Sequence, residues 1–74
     1  MHTLNEGKLY THLGIRIRHR RRKLKMSQQE LSEGIFDSRA SICQIENGKQ
    51  RILLHDLFSI AKKLNCSVNY LLPI

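Results

Sequence analysis

The chain predicts an all-α domain of five short helices, and three observations carry that prediction. Apolar residues recur at the spacing of a 3.6-residue helix. Ser27, Ser38 and Ser67 each stand directly before such a segment, where a helix N-cap belongs. Gly34, Asn47-Gly48 and Asn65 stand where the segments end, in the places that favour residues able to leave the helical conformation. With 74 residues and 41% hydrophobic content, there is room for one small domain. A chain of this size buries only about 60% of its unfolded surface, so its core must be economical and well placed.

The first helix contains the stretch RIRHRRRKLK, residues 16 to 25, in which Arg16, Arg18, Arg20, Arg21, Arg22, Lys23 and Lys25 make up seven of the chain's 13 Lys and Arg. Leu13, Ile17 and Leu24 fall within about 40° of one another on a helical projection, so the stretch reads as a helix with a narrow apolar stripe and not as a disordered basic tail. Around Ile17, the residues Arg16, Arg18, His19, Arg22 and Lys23 point about 100° or more away, whereas Arg20 and Arg21 flank the stripe at roughly 40 to 60°.

Helix 2 starts after Ser27, with Glu30 completing an S-x-x-E capping box before Leu31. It spans about 28–34, because glycine costs about 1 kcal/mol inside a helix and is common beyond its end. After a short turn at Phe36 and Asp37, Ser38 caps helix 3, SRASICQIE, over about 38–46. There Ile42 and Ile45 share one face while Arg39, Ala40, Cys43 and Gln44 occupy others. Asn47-Gly48 stops it. Helix 4 carries Leu57, Ile60, Ala61 and Leu64 on one face, and Ser67 caps a last helix, VNYLL, stopped near Pro73. Residues 13–72 form the domain, and 1–12 form an N-terminal extension.

Outside residues 16–25 the six basic residues (Lys8, Arg39, Lys49, Arg51, Lys62, Lys63) balance the six acidic ones, so the whole net charge of +7 sits in the opening stretch. Such a concentration attracts polyanions, either nucleic acid or an anionic membrane face. No run of about 18 apolar residues exists, and the N-terminus lacks the order of a secretory signal; a soluble cytoplasmic protein is expected. Cys43 and Cys66 form no C-x-x-C pair and suit a reducing compartment, each as a small buried or half-buried residue. His2, His12, His19 and His55 have neither H-x-x-x-H spacing nor cysteine partners, so no metal site is expected, and no cofactor motif occurs. No Ser/His/Asp or paired-carboxylate arrangement stands out, which argues against an enzyme.

Two short helices joined by a tight turn have the dimensions of a helix-turn-helix, whose second helix fits the major groove of DNA. The exposed face of helix 3 is the specific part. Arg39 can fork to guanine O6 and N7, Gln44 can bond adenine N6 and N7, and Ala40 can touch a thymine methyl. A plain solvated helix would favour Glu and Lys there.

The segments MSQQELSEGIFDSRASICQIENGKQ and LHDLFSIAKKLNCSVNYLL resemble the phage-repressor and Cro type of helix-turn-helix, the xenobiotic-response-element (XRE) family of bacterial and phage transcriptional regulators. I-E-N-G-K at 45–49 is its specific signature, and the resemblance covers about residues 13–72. It implies a compact five-helix, lambda-repressor-like DNA-binding domain, commonly a homodimer that represses from a palindromic double-stranded operator. Matched by position, Gln28 touches phosphate and braces a base-reading side chain. Arg39, Ala40 and Gln44 read bases, Ser38 and Ser41 lie near the backbone or groove edge, and Asn47 and Lys49 contact phosphate. Arg51 is a weaker phosphate candidate. The resemblance also implies an Arg21–Glu46 salt bridge between helix 1 and the end of helix 3.

Two departures set further expectations. Phe36 stands in the turn where the family prefers glycine, so the turn is expected to exploit Gly34 instead. Ile52, Leu53 and Leu54 are apolar for a loop and are expected to pack into the core, with a dimer surface as the alternative. Arg20 is expected to lay its stem along the core edge, and Arg18, Arg22 and Lys25 to form a solvated arc. Two other readings stay open: the DNA-binding domain of a longer regulator, such as a peptide-sensing one, and an antitoxin-like protein-interaction module using residues 52–54 with Val68, Leu71 and Leu72.

Overall fold

A computed structural model describes residues 6–72. Five helices follow one another: α1 (Glu6–Lys23), α2 (Gln28–Ser32), α3 (Arg39–Glu46), α4 (Leu54–Lys63) and α5 (Val68–Leu71). Each contributes to a single core of Leu13 and Ile17 from α1, Leu31 from α2, Ile42 and Ile45 from α3, Leu57, Ile60 and Ala61 from α4, Leu64 just beyond it, and Leu71 from α5. Those from α1, α3 and α4 are residues whose helical spacing marked their elements, whereas Leu31 and Leu71 each enter from a short helix marked by its serine cap.

Helix α1 is longer than its sequence signal. It begins at Glu6, so the expected boundary at residue 13 falls inside a helix, and residues 1–5 of the expected extension lie outside the described residues. Tyr10 packs against the core and continues the stripe of Leu13 and Ile17 toward the N-terminus. The buried face at the other end differs as well. Gly14 and Arg21 are buried, whereas Leu24 lies beyond the last helical residue and is exposed. Gly14 is required by packing, because a Cβ there would stand 2.3 Å from the carbonyl oxygen of Ile45 and 2.7 Å from that of Glu46. Helix α1 thus lies directly on the C-terminal turn of α3.

Helix α2 stops at Ser32, earlier than expected, and Gly34 turns the chain at φ +82°. Ile35 and Phe36 both donate their backbone N–H to Ser32 O, so the tight conformation sits at Gly34 and Phe36 needs no special geometry. Helix α3 ends in a Schellman arrangement, in which Gly48 N donates to Ile45 O and Lys49 N to Gln44 O. Helices α1 and α4 end the same way, with Lys25 at φ 57° and Asn65 at φ 54° in place of glycine.

The apolar loop divides. Ile52 packs against the core, but Leu53 is 72% and Leu54 68% exposed, and Phe58, one turn further along α4, is 57% exposed. The expectation that all three loop residues enter the core therefore holds for Ile52 alone. Leu54 opens α4, and its buried face starts only at Leu57, so residues 53 and 54 precede the turn that reaches the interior.

Candidate nucleic-acid interface

Two serine caps fix the start of the helix pair. Ser27 Oγ accepts from Glu30 N at 2.9 Å, and Ser27 N donates to Glu30 Oε1 at 2.8 Å. Hydrogen bonding from Ser27 to the carboxylate, its backbone N–H first and its hydroxyl second, holds the Glu30 carboxyl below its ordinary pKa. Ser38 Oγ accepts from Ala40 N at 3.3 Å. With Ile42 and Ile45 buried, Arg39, Ala40 and Gln44 emerge exposed on the far side of α3, and Ser38, Arg39, Ala40, Cys43 and Gln44 line an open recess of about 270 Å³.

A continuous polar chain runs beneath this face. Arg39 Nη1 donates to Gln28 Oε1 at 3.1 Å, and Gln28 Nε2 donates to Glu46 Oε1 at 3.1 Å. Glu46, its side chain wholly buried, receives Arg21 through two donors, Nε to Oε2 at 2.6 Å and Nη2 to Oε1 at 3.0 Å. Arg21 spends its remaining nitrogen on Met26 O at 2.8 Å, which ties the α1–α2 turn to the same group. Arg18 reaches Glu46 Oε1 at 3.4 Å and Asn47 Oδ1 at 2.7 Å, and Asn47 Nδ2 lies 3.6 Å from Cys43 Sγ. Burial pushes the Glu46 carboxyl up, yet the hydrogen bonds from Arg21, Gln28 and Arg18, with the charge of Arg21, outweigh it and hold the group below its ordinary value. The bond to Glu46 raises Arg21 in turn. Among the described residues no buried side-chain nitrogen or oxygen lacks a partner, which is what makes a buried ion pair tolerable.

The structure therefore brings Gln28, Arg39, Arg21, Glu46 and Asn47 into one network and leaves Ser38, Ala40 and Gln44 on the open face beside it. Ser41 is half-buried in α3, and Lys49 is exposed just past the helix. Arg51 stands apart, because its guanidinium pairs with the Glu6 carboxylate at the start of α1.

One charge expected in the solvated arc, Arg18, and three other cations, Arg16, Arg20 and Lys63, have work inside the molecule. Arg18 joins the network, so only Arg22 and Lys25 of that trio stay at the surface. Arg20 does more than lay its stem along the core, since it donates to Leu64 O at 2.9 Å and Asn65 O at 3.1 Å at the end of α4. Arg16 donates to Tyr70 O at 2.6 Å and lies over the Tyr70 ring, 4.7 Å from its centroid. Lys63 Nζ caps the carbonyls of Glu30 and Glu33 at the end of α2. Arg16 and Arg20 sit one helical turn apart, a spacing that marks a shared task, but nothing local names partners more than 40 residues away.

No helix among the described residues is long and apolar enough to cross a membrane, and none of their His, Cys, Asp and Glu groups could hold a metal ion.

The helix-turn-helix family model HTH_3 matches residues 17–71. The HTH-type transcriptional regulator DicA of Escherichia coli (strain K12) is 37% identical over 60 residues, which cover 81% of this chain and 44% of DicA. The chain thus spans less than half the length of that relative. The P22 c2 repressor, solved in complex with a synthetic operator, is 38% identical with a TM-score of 0.76, covering 82% of this chain and 92% of that one. The same fold also occurs inside an enzyme, the hydroxypropylphosphonic acid epoxidase of S. wedmorenis, at 25% identity and a TM-score of 0.83, covering 90% of this chain but 36% of the epoxidase. The length of the family match and the likeness to DicA and to the P22 repressor agree with the network around Glu46: the chain belongs to the helix-turn-helix family, among its XRE-type, Cro- and repressor-like members.

Proposed function

We propose that the chain is a sequence-specific, double-stranded DNA-binding transcriptional regulator of the cytoplasm. In this reading it is a repressor that binds a palindromic operator as a homodimer and lays α3 of each subunit into successive major grooves. The observation that carries the reading is the placement of Arg39: exposed on α3, held by Gln28, and flanked by Ala40 and Gln44. Arg39 then forks to guanine, Gln44 pairs with adenine and Ala40 meets a thymine methyl. Gln28 and Ser38 at one end of the helix pair, with Ser41 near the groove edge, and Asn47 and Lys49 at the other, grip the phosphates on either side of the groove. The basic α1 supplies long-range attraction. The P22 c2 repressor's operator complex supports the docking mode by likeness, and the exposed Leu53, Leu54 and Phe58 support an apolar surface between two copies. Occupying the operator would exclude or position RNA polymerase.

Binding selection from random DNA tests this directly. It should return two half-sites about 10 base pairs apart, centre to centre. Log affinity should fall linearly with log salt, at about 0.9 per phosphate neutralised. Uniform binding to every sequence by both the wild type and Arg39→Ala would overturn base reading. A partner protein captured by Leu53 and Leu54, with no DNA selected, would favour the interaction-module reading.

A further inference from the structure

Gln28 is the only link between the exposed Arg39 and the buried carboxylate among the hydrogen bonds of this network, and its amide has two chemically different ends. We propose that Glu46 is a positioning residue for base recognition, which fixes the Gln28 amide so that its oxygen, and not its nitrogen, faces Arg39; this rests on Arg39 being a base reader. A carboxylate held ionised by Arg21 only accepts hydrogen bonds. At 3.1 Å from Glu46 Oε1, Gln28 must therefore present its NH2 group. The amide oxygen is then left pointing the other way, at 3.1 Å from Arg39 Nη1. A guanidinium only donates, so the opposite orientation would set two acceptors against each other at Glu46 and two donors against each other at Arg39.

The consequence for recognition is geometric. With Nη1 engaged, the long Arg39 side chain loses rotamer freedom before any DNA arrives, while Nη2 and Nε remain for the paired acceptors of a guanine. The information passes from a group with no solvent exposure to the groove through one amide. Arg18 adds to it from the other side, because it shares Glu46 Oε1 and holds Asn47. The start and the end of the recognition helix are thereby set by the same carboxylate.

The test uses an operator obtained by selection and a second DNA changed only at the base pair whose preference Arg39→Ala abolishes. Discrimination is the ratio of the two affinities, read beside affinity for random DNA and thermal unfolding. Gln28→Glu is the decisive variant. It keeps an acceptor toward Arg39 and adds charge to it, but it turns the donor facing Glu46 into a second carboxylate oxygen, while both Arg21 and Glu46 remain in the chain. Discrimination should fall about 10-fold, within the range of a lost bidentate base contact, and Gln28→Met should fall equally. Any uniform repulsion of phosphate by the new charge divides out of the ratio. Glu46→Met, which removes the acceptor that orients Gln28 and is measured below its unfolding transition, should lose the same factor, and combining it with Gln28→Met should lose nothing more. Full discrimination in Gln28→Glu would show that Arg39 needs only an acceptor and would overturn the proposal, as would additive losses in the double variant. If Arg39→Ala abolishes no preference at any base pair, base reading by Arg39 has failed, and the positioning role falls with it. If Arg39→Ala relaxes specificity while Gln28→Glu does not, base reading stands and the positioning role alone is wrong.

Discussion

Helix α1 makes an arginine–carboxylate pair near each end, and the two pairs could hardly differ more in consequence. Near its C-terminus Arg21 meets Glu46 with side-chain exposures of 9% and 0%; at its N-terminus Glu6 meets Arg51 with exposures of 56% and 75%. The charges are the same. The inner pair is bidentate and buried, and it gains further part-buried bonds with Gln28, Arg18 and Met26. The outer pair exchanges with solvent and salt at little cost. Contact between opposite charges is therefore a poor measure of importance here, and what each partner would be left with after the other is removed is a better one.

That difference predicts the largest effect. Arg21→Ala or Glu46→Ala leaves its partner charged and buried, and should destabilise the domain by about 3 to 5 kcal/mol, read as a shift of the urea midpoint. For a domain this small that is a large share of the total. Equal small losses at both ends of α1 would erase the contrast. Next is Gly14→Ala, which drives a methyl into the carbonyls of Ile45 and Glu46. It should cost about 1 to 3 kcal/mol by overpacking and should weaken operator discrimination too, since it lifts α1 from the helix that carries the network.

Acid sharpens the comparison further. The Glu46 carboxyl has a folded pKa below its ordinary 4.5. Its contribution is therefore fully present above that value and is lost as the pH falls through the lower, folded one. Wild-type unfolding free energy should decline across this acid window, and Glu46→Gln should show a shallower decline, with urea titrations from about pH 3 to 7 giving the slopes.

The sequence showed the inner region well and the outer one badly, for physical reasons. The core faces of α3 and α4 were legible because burial imposes a helical period, and the short α2 and α5 were legible through Ser27 and Ser67, as was the start of α3 through Ser38, because caps are local. Arg21–Glu46 was reached through the I-E-N-G resemblance, since 25 residues separate the partners and no spacing rule spans them. The N-terminal turns of α1 were missed because half-buried Tyr10 gives only a weak periodic signal. Gly14 was missed because a glycine required by a neighbour's backbone looks the same in sequence as any other. Leu53 and Leu54 were misplaced because hydrophobicity says that a residue prefers cover without saying whether this chain supplies it.

A smaller effect lies at the C-terminal end of α1 itself. Lys25 adopts φ 57° to close the turn after that helix, a conformation unfavourable for a residue with a Cβ. Lys25→Gly should stabilise the domain by about 0.5 to 1 kcal/mol, visible in thermal unfolding. It removes one surface charge and leaves the Met26 N to Arg21 O bond in place. A loss of stability would mean that the lysine side chain contributes more than its backbone costs.

The smallest change in stability belongs to the outer pair, but it divides two roles for Arg51. Either member replaced by alanine should cost about 0.2 to 1 kcal/mol, less in high salt. For DNA the two variants should part company. Arg51 is engaged by Glu6, so a phosphate contact by Arg51 must compete with that carboxylate. Glu6→Ala should then tighten binding to operator and random DNA alike and steepen the salt slope, because it frees Arg51 and removes a negative charge. Arg51→Ala should lower the slope by at most about 0.9, the value of one phosphate. If Glu6→Ala changes nothing beyond its own charge and Arg51→Ala leaves the slope unaltered, Arg51 serves only the start of α1. The phosphate grip beyond the recognition helix would then rest on Asn47 and Lys49.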